Sequence, residues 1–351
     1  MSTIILTGGG TAGHCMPNVA LIPHLKNKFN KIYYIGSSSG IEKNLIKSLG
    51  IPYYEIPCAK LNRSFDLKNL VMPFTVIKGI NKAGKIIDKL KPDVIFSKGG
   101  YVALPTVIAG HKRKIPVISH ESDLTIGLSN RLTSNMCKKV LTAFPETAEK
   151  LKNGEYVGIP LRKSLYTEID VDKTRKSFGI SGKKPVLLIT GGSQGAKSIN
   201  DAVYSALPSL LKKFEIIHLC GKGNLNPKIK ENGYKQFEFL SNIEDAIKIC
   251  SVCVTRAGAN TLFELLSLKI PCLVIPLSNK SSRGDQILNA EYFQKLGMIN
   301  VLNQQSITPN SLILSINSTY ANKDNIIKNI NKNPIKDASK SVCKVINSVL
   351  D

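Results

Sequence analysis

Two glycine-rich turns, each between an apolar run and a helix-forming segment, are the stretches of this chain best suited to chemistry. Residues 185–200 read PVLLITGGSQGAKSIN, and residues 3–14 read TIILTGGGTAGH. Backbone N–H groups in such a turn, with the positive end of the following helix, can bind phosphate. Two such turns predict two similar domains. The alternative for each is an ordinary tight turn, because glycine also occurs where a turn needs its backbone conformation and no ligand binds.

The residues around the turns argue against two common nucleotide-binding classes. The chain has no G-x-x-x-x-G-K-[ST] sequence, so it is not a P-loop nucleotidase. A dinucleotide site needs an acidic residue at the end of the second strand. Residues 36–39 are Gly-Ser-Ser-Ser instead, and the second half has Gly221-Lys222-Gly223 at the corresponding place. We therefore expect no nicotinamide cofactor, and no other cofactor is predicted.

Polar residues near the ends of strands in the first half are candidates for acid–base chemistry. His14 follows the first glycine turn, and the ordinary pKa of histidine suits a general base near neutral pH. A buried histidine that fixes the loop is the alternative. His120 and Glu121 follow a strand at 115–119, where ligands bind in open parallel sheets. They could equally be a buried hydrogen-bonded pair that supports the loop.

In the second half, Glu264 and Gln286 are candidates for binding sugar hydroxyls. Glu264 could accept hydrogen bonds from two vicinal hydroxyls of a ribose, or it could cap its helix with Thr261, from which it stands at capping-box spacing. Gln286 offers a donor and an acceptor together, which suits sugar hydroxyls.

We predict no metal site. Asp170-Val171-Asp172 resembles the D-x-D metal motif of one glycosyltransferase class, but it directly precedes a probable helix at 173–178, where aspartate is a common N-cap. Cys250 and Cys253 form a C-x-x-C pair without a second pair at metal-ligand spacing.

Length and charge indicate a two-domain protein that attracts anions. The chain has 351 residues, 42% of them hydrophobic, and Lys+Arg 48 against Asp+Glu 25 gives a net charge of +23. Nucleic acid, anionic lipid or a phosphorylated substrate would suit this charge, but no nucleic-acid-binding motif is present, so no nucleic-acid partner is expected. A strand that begins by residue 3 and the lack of a long uncharged run predict a cytosolic or peripheral protein with reduced thiols.

Apolar runs alternate with helix-forming segments throughout the chain, which predicts doubly wound parallel α/β domains. We place the N-terminal domain at 1–161, a hinge at 157–162, and the C-terminal domain at 162–334, with a helix at 335–351 that crosses back over the first domain. The predicted strands lie near 32–35, 53–57, 92–96, 115–119 and 140–144, the last closing the first sheet, and near 186–190, 215–219, 237–240, 252–255 and 272–275.

Residues 67–90 mix apolar side chains with lysines. The pattern fits an amphipathic helix whose apolar side faces the core and whose lysines face solvent. It also fits an apolar and basic patch that binds an anionic membrane face.

Taken together, these segments closely resemble one family, the MurG-type UDP-N-acetylglucosamine transferases of peptidoglycan synthesis (glycosyltransferase family 28). The matching segments cover both domains in order: GGGTAGH at 8–14, IG-SSS-GIE at 35–42, PDVIFSKGGYVALP at 92–105, IPVISHESDLTIGLSNR at 115–131, VGIPLR at 157–162, TGGSQGA at 190–196, RAGANTLFE at 256–264 and DQILNA at 285–290.

The resemblance implies a GT-B fold, in which two Rossmann-like doubly wound domains face each other across a cleft. It also implies an inverting, metal-independent reaction that moves GlcNAc from UDP-GlcNAc to the MurNAc 4-hydroxyl of lipid I, undecaprenyl-diphospho-MurNAc-pentapeptide, to give lipid II. The expected location is peripheral, on the cytoplasmic side of the cell membrane, against the anionic inner leaflet.

Residue by residue, the resemblance implies a donor site mainly in the second domain. Arg162 would close on the nucleotide, Ser193 would meet the diphosphate, Ile243 the uracil through its main chain, and Glu264 the ribose. The remaining donor-binding residues implied are Ala259, Asn260, Thr261, Leu262, Phe263 and Gln286, with Thr11, Ala12, Gly13 and Asp123 facing the sugar and the acceptor. The acceptor side would comprise Gly9, Gly10, Gly99, Gly100, Tyr101 and Glu121, with His14 as the catalytic base.

Three residues depart from the family pattern. Ala12 replaces the usual second glycine of T-G-G-H, Asp123 stands where many members have Asn, and Ile159 replaces Asn in G-N-P-x-R. Another GT-B enzyme, such as a glycolipid synthase or a UDP-GlcNAc epimerase, is the first alternative function. A basic protein that binds nucleic acid or membrane without catalysis is the second.

Overall fold

The chain divides into two compact units, one of residues 1–162 with 336–351 and one of residues 163–335. We call them unit 1 and unit 2. The computed structural model describes residues 2–60, 68–180, 182–192, 194–278 and 284–350, so Leu67 and Ser193 lie outside the described residues.

Unit 1 is built on a seven-stranded parallel sheet with the order β3-β2-β1-β4-β5-β6-β7. Its strands are β1 (Thr3–Thr7), β2 (Lys31–Ser37), β3 (Tyr53–Ile56), β4 (Val94–Ser97), β5 (Val117–Glu121), β6 (Lys139–Thr142) and β7 (Gly154–Tyr156). The helices that connect them are α1 (Met16–Leu25), α2 (Ile41–Ser48), α3 (Lys68–Leu90), α4 (Leu104–Lys112), α5 (Leu128–Thr133) and α6 (Pro145–Glu149).

Unit 2 has a six-stranded parallel sheet with the order β10-β9-β8-β11-β12-β13. The strands are β8 (Val186–Thr190), β9 (Glu215–Leu219), β10 (Tyr234–Phe237), β11 (Val252–Thr255), β12 (Cys272–Val274) and β13 (Asn300–Val301). The helices are α7 (Val171–Ser177), α8 (Lys197–Leu210), α9 (Ile243–Ile249), α10 (Ala259–Ser267), α11 (Asp285–Lys295), α12 (Pro309–Ala321) and α13 (Lys323–Lys332).

The C-terminal helix α14 (Ser339–Asn347) returns to unit 1 and packs on α1, where Leu21, Val342 and Ile346 share one buried cluster. Two hydrogen bonds fix the returning chain beside residues 159–161. Ala338 N–H donates to Ile159 C=O at 3.1 Å, and Leu161 N–H donates to the Asp337 carboxylate at 2.8 Å. Ile159, one of the three departures from the family pattern, is buried there.

Each sheet has one point at which the strand order changes direction, and this point positions the candidate site. In unit 1 it lies between β1 and β4, and in unit 2 between β8 and β11. Ligands of open parallel sheets bind beyond the carboxyl ends of the strands at such points. Both glycine turns, after Thr7 and after Thr190, lie there.

The prediction of doubly wound parallel α/β domains is confirmed, but several elements differ from their predicted bounds. β5 spans Val117–Glu121 rather than 115–119, so His120 and Glu121 end this strand instead of following it. The first sheet does not end at 140–144, because β7 adds an edge strand of three residues whose sequence, GEY, has no apolar run. β10 begins and ends three residues before the predicted 237–240. The strand β13 was also missed, since a two-residue strand leaves no periodic signal.

Candidate functional site

In unit 1 the turns after β1 and β4 pack against each other. Gly10 and Gly100 both have positive φ angles, 84° and 78°, a conformation that favours glycine. A side-chain carbon added at Gly100 would lie 2.7 Å from the Gly9 carbonyl oxygen and 3.2 Å from His14 Cγ, and one at Gly10 would overlap the Tyr101 ring. The structure therefore brings Gly9, Gly10, Gly100 and Tyr101, four of the predicted acceptor residues, together with His14.

His14 ends a short 3₁₀ helix, Ala12–His14, that closes the first turn. Its Nδ1 lies 2.9 Å from the Thr11 hydroxyl, and its backbone N–H donates to the Thr11 carbonyl at 3.2 Å. The ring is half-buried, so it is neither fully enclosed in the core nor held on the surface. A general base at Nε2 requires the tautomer in which Nδ1–H donates to Thr11 Oγ1.

Glu121 acts inside the protein as a support for the loop after β5. Its buried carboxylate accepts hydrogen bonds from the N–H groups of Ser122 (2.9 Å), Asp123 (3.2 Å) and Gly127 (2.8 Å), and from the Asn130 amide (2.9 Å). This geometry favours the supporting role over direct contact of Glu121 with the acceptor, because its oxygens are already engaged.

His120 does not pair with Glu121 in the described contacts. His120 Nε2 lies 2.7 Å from the Gly158 carbonyl, and burial lowers the pKa of this histidine well below its ordinary value, an effect strengthened by the charge of Lys98. His120 is thus a neutral residue that fixes the loop near residue 158.

Lys98, which the sequence analysis did not single out, is buried at the carboxyl end of β4. Its ammonium Nζ donates to Ser122 Oγ at 2.5 Å. Burial lowers the pKa of Lys98 to about 8, although Glu121 and Asp123 act in the opposite direction. A lysine that follows a buried strand and precedes two glycines was the signal that could have identified it.

In unit 2 the glycine turn after β8 packs on the turn after β9. A side-chain carbon at Gly195 would overlap the Cys220 carbonyl, and one at Gly221 would overlap the Gly195 amide. Both glycines have positive φ angles. Asn200 on α8 donates to the Cys220 carbonyl at 3.0 Å, which holds the two turns together. Ser193, the residue predicted to meet the diphosphate, lies in the undescribed part of this turn.

The start of α10 lies beyond the neighbouring strand, β11. Gly258 is the N-cap, so Thr261 is the third residue of the helix rather than its cap, and the capping-box interpretation of Thr261 and Glu264 is wrong. Leu262 and Phe263 are buried in the core, where Phe263 packs edge-on against Phe293. Their side chains, like that of Ala259, therefore cannot reach a ligand, whereas those of Asn260, Thr261 and Glu264 are half-buried.

Two further side chains shape this edge of unit 2. Arg256 donates to the Ile275 carbonyl at 3.0 Å and to Gln304 Oε1 at 2.7 Å, and burial lowers its pKa. Gln286 Oε1 accepts from Leu277 N–H at 3.0 Å. The oxygen thus supports the loop after β12 with one of its two lone pairs, and the role of Gln286 in binding sugar hydroxyls stays a prediction.

The remaining predicted residues occupy separate places in the two units. Ile243 is the first residue of α9 and is half-buried, Asp123 is half-buried in the loop after β5, and Arg162 is the last residue of the first segment of unit 1. Asp170 caps α7 by accepting from Lys173 N–H at 3.0 Å, which confirms the N-cap interpretation of the D-x-D sequence. Among the described residues, no cluster of His, Cys, Asp and Glu is arranged to hold a metal.

Two family models match the chain, one in each unit. The model described as "Glycosyltransferase family 28 N-terminal domain" matches residues 4–142, and "Glycosyltransferase family 28 C-terminal domain" matches residues 186–344.

Curated relatives match over nearly the full length. A protein of Clostridium tetani (strain Massachusetts / E88) is 46% identical over 347 residues, covering 98% of this chain and 97% of the relative. One of Clostridium botulinum (strain Hall) is 47% identical over 350 residues, covering 99% of each. Both are named UDP-N-acetylglucosamine--N-acetylmuramyl-(pentapeptide) pyrophosphoryl-undecaprenol N-acetylglucosamine transferase.

Among solved structures, MurG of Acinetobacter baumannii is similar to this chain with a TM-score of 0.76 and 23% identity, covering 99% of this chain and 100% of that one. At this identity the likeness establishes a shared fold.

Proposed function

We propose that this chain, which belongs to glycosyltransferase family 28, transfers N-acetylglucosamine from UDP-GlcNAc to the MurNAc 4-hydroxyl of lipid I and so forms lipid II. The observation that carries this proposal is the 46–47% identity, over 98–99% of the chain, to relatives named for that reaction. The alternatives, a glycolipid synthase, an epimerase or a non-catalytic basic protein, have no comparable support.

The donor is proposed to bind at the carboxyl edge of the sheet in unit 2. When UDP leaves, negative charge gathers on its diphosphate, and backbone N–H groups at a helix start stabilise such charge without a metal. The helix start proposed for this purpose is that of α10, where the N-cap is Gly258 and makes no side-chain cap hydrogen bond. Glu264, one turn further along α10, is proposed to accept the ribose hydroxyls.

The acceptor is proposed to bind at the carboxyl edge of the sheet in unit 1. Its 4-hydroxyl must lose a proton as the new bond forms, and His14 is the proposed base. Thr11 would fix the imidazole tautomer through the 2.9 Å contact with Nδ1, so that Nε2 takes the proton. The configuration at the anomeric carbon would invert from α to β, because the hydroxyl displaces UDP in one step.

We also propose that the protein acts at the cytoplasmic face of the membrane, since its acceptor carries a polyprenyl chain. No helix in the described ranges combines the length and the apolar character that crossing a bilayer requires. In unit 1, α3 carries the exposed apolar residues Phe74 and Ile77 beside exposed lysines, which supports its proposed role as the membrane contact.

The proposed function is tested by following UDP release from UDP-GlcNAc with and without a lipid I analogue. Release that requires the analogue, and that persists in excess chelator, is the expected result. Conversion of UDP-GlcNAc into an epimerised sugar nucleotide without the acceptor, and without net release of UDP, would favour the epimerase alternative. Loss of activity in chelator that magnesium or manganese restores would contradict the metal-independent mechanism.

A further inference from the structure

Glu42 is a fully buried carboxylate that binds the first glycine turn from inside unit 1. It lies in the first turn of α2. Its Oε1 accepts from the backbone N–H and the hydroxyl of Ser37, at 3.2 and 2.6 Å, and its Oε2 accepts from Gly10 N–H at 3.1 Å. A single side chain therefore joins the end of β2 to the turn that carries Thr11 and His14.

The chain closes tightly around this carboxylate. A side-chain carbon added at Gly9 or at Gly40 would overlap the Glu42 carboxyl group. Gly9 and Gly40 thus have a packing reason to be glycine that does not involve a ligand. The Ser37 hydroxyl, which donates to Glu42, also accepts from Gly40 N–H at 2.9 Å, so the carboxylate belongs to a connected network.

The negative charge of Glu42 acts on its surroundings. Burial is the main cause of the raised pKa of Tyr101, and the charge of Glu42 is the next cause. Gly10 N–H is the kind of donor that a phosphate-binding turn offers to its ligand. Here the donor is already bound by an anion of the same chain, and a phosphate placed beside that anion would be repelled in a medium of low dielectric constant.

We propose that Glu42 is a positioning residue that holds Gly10–His14 in the conformation that binds an uncharged sugar. Its carboxylate binds the backbone N–H group that a phosphate would bind in an anion-binding turn. The two glycine turns of the chain then differ in substrate class. The turn in unit 2 binds the nucleotide diphosphate, whereas the turn in unit 1 binds sugar hydroxyls and presents His14. This inference rests on the proposed function for the identity of the sugar.

The decisive substitution is Glu42→Gln. A carboxamide keeps the shape but has one acceptor oxygen, so either Ser37 N–H or Gly10 N–H would face an NH₂ group. We expect kcat with the lipid I analogue to fall about 10- to 100-fold through misplacement of His14, with the donor KM within about twofold of the wild type. Glu42→Asp, which keeps both oxygens, should recover part of kcat. Glu155→Gln is the matched control, because Glu155 pairs with Lys139 at the surface.

Hydrogen–deuterium exchange provides a readout that does not depend on turnover. The peptide that contains Gly10 should exchange faster in Glu42→Gln than in the wild type, while peptides of unit 2 remain unchanged. Inorganic pyrophosphate should not slow exchange of this peptide in the wild type. Protection of residues 8–14 by pyrophosphate, or a wild-type kcat in Glu42→Gln, would overturn the inference.

If Glu42→Gln does not fold, Glu42→Asp decides the question. A folded Glu42→Asp with lowered kcat and unchanged donor KM supports the inference, and one with wild-type kcat overturns it. A wild-type protein that fails to transfer GlcNAc would refute the proposed function alone, because the exchange and pyrophosphate measurements would still test the role of Glu42.

Discussion

Lys98 is a residue of unit 1 at which burial opposes the charged form of the side chain. Its ammonium is fully enclosed and donates to Ser122, and its pKa falls from 10.5 to about 8. Because the folded value lies below the unfolded one, the unfolded chain binds more protons between these two pH values. The cost of burying the charge is therefore fully present below pH 8 and disappears as the pH rises to 10.5.

We expect the unfolding free energy of the wild type to rise with pH, relative to Lys98→Met, by up to about 3 kcal/mol between these pH values. Urea unfolding of both proteins at several pH values measures this difference. The matched substitution at the exposed Lys85 is the control. A pH-independent difference for Lys98→Met would show that its amine titrates as an ordinary lysine.

Glu264 is the residue on which the donor-site proposal depends most. The structure removes its alternative role as the capping-box partner of Thr261, because α10 begins at Ala259. Glu264→Ala should raise the KM for UDP-GlcNAc roughly 10- to 100-fold, since two ribose hydroxyls lose a charged acceptor. Glu291→Ala, at an exposed position of α11, is the control. An unchanged KM with a lower Tm would assign Glu264 to helix stability.

At the scale of elements, the sequence predicts strand bounds best where a buried, mainly apolar run is followed by a polar turn. β8 and β11 have the predicted bounds, 186–190 and 252–255, because both are fully buried strands of mainly apolar residues followed by a polar turn. The edge strands β7 and β13 were not predictable in this way, since they are short and gain their stability from the neighbouring strand rather than from their own composition.

The candidate site was predicted less completely than the strands. The glycine turns were identifiable because each follows a buried apolar run and precedes a helix-forming segment, and His14 was identifiable because it directly follows the first of them. Glu42 and Lys98 were not, because the role of each depends on contacts with residues distant in the sequence, Gly10 and Ser122. Leu262 and Phe263 show the converse, because their place in a family motif reflects core packing.

Helix α3 is the element on which the membrane proposal can be tested. Phe74 is 67% and Ile77 54% exposed, whereas Ala83 and Ile87 on the same helix are buried. The helix is therefore core-facing in its second half, and the exposed apolar residues lie in its first half.

Phe74→Ser combined with Ile77→Ser should weaken sedimentation with liposomes without lowering the Tm, because the two side chains contribute little to the core. Binding to wild type should rise with the fraction of anionic lipid and fall with salt. Leu314→Ser, at an exposed apolar residue of α12 in unit 2, is the control. Unfolding of the double variant, or wild-type binding that does not depend on the fraction of anionic lipid, would contradict the proposal.

At the scale of the whole molecule, the GT-B fold class is confirmed, with two Rossmann-like units that match the two domains of glycosyltransferase family 28. Each unit has a glycine turn at the point where its strand order changes direction. We propose that the turn in unit 2 binds the leaving diphosphate and that the turn in unit 1 binds an uncharged sugar. The net charge of +23 suits both the anionic donor and an anionic membrane surface.

The transfer of GlcNAc to lipid I is tested by the mass and linkage of the product that the purified protein forms from a lipid I analogue and UDP-GlcNAc. We expect the acceptor to gain one N-acetylhexosamine residue, joined in the β configuration at the MurNAc 4-hydroxyl, with one UDP released for each acceptor consumed. An acceptor of unchanged mass, in a reaction that nevertheless consumes UDP-GlcNAc, would contradict it.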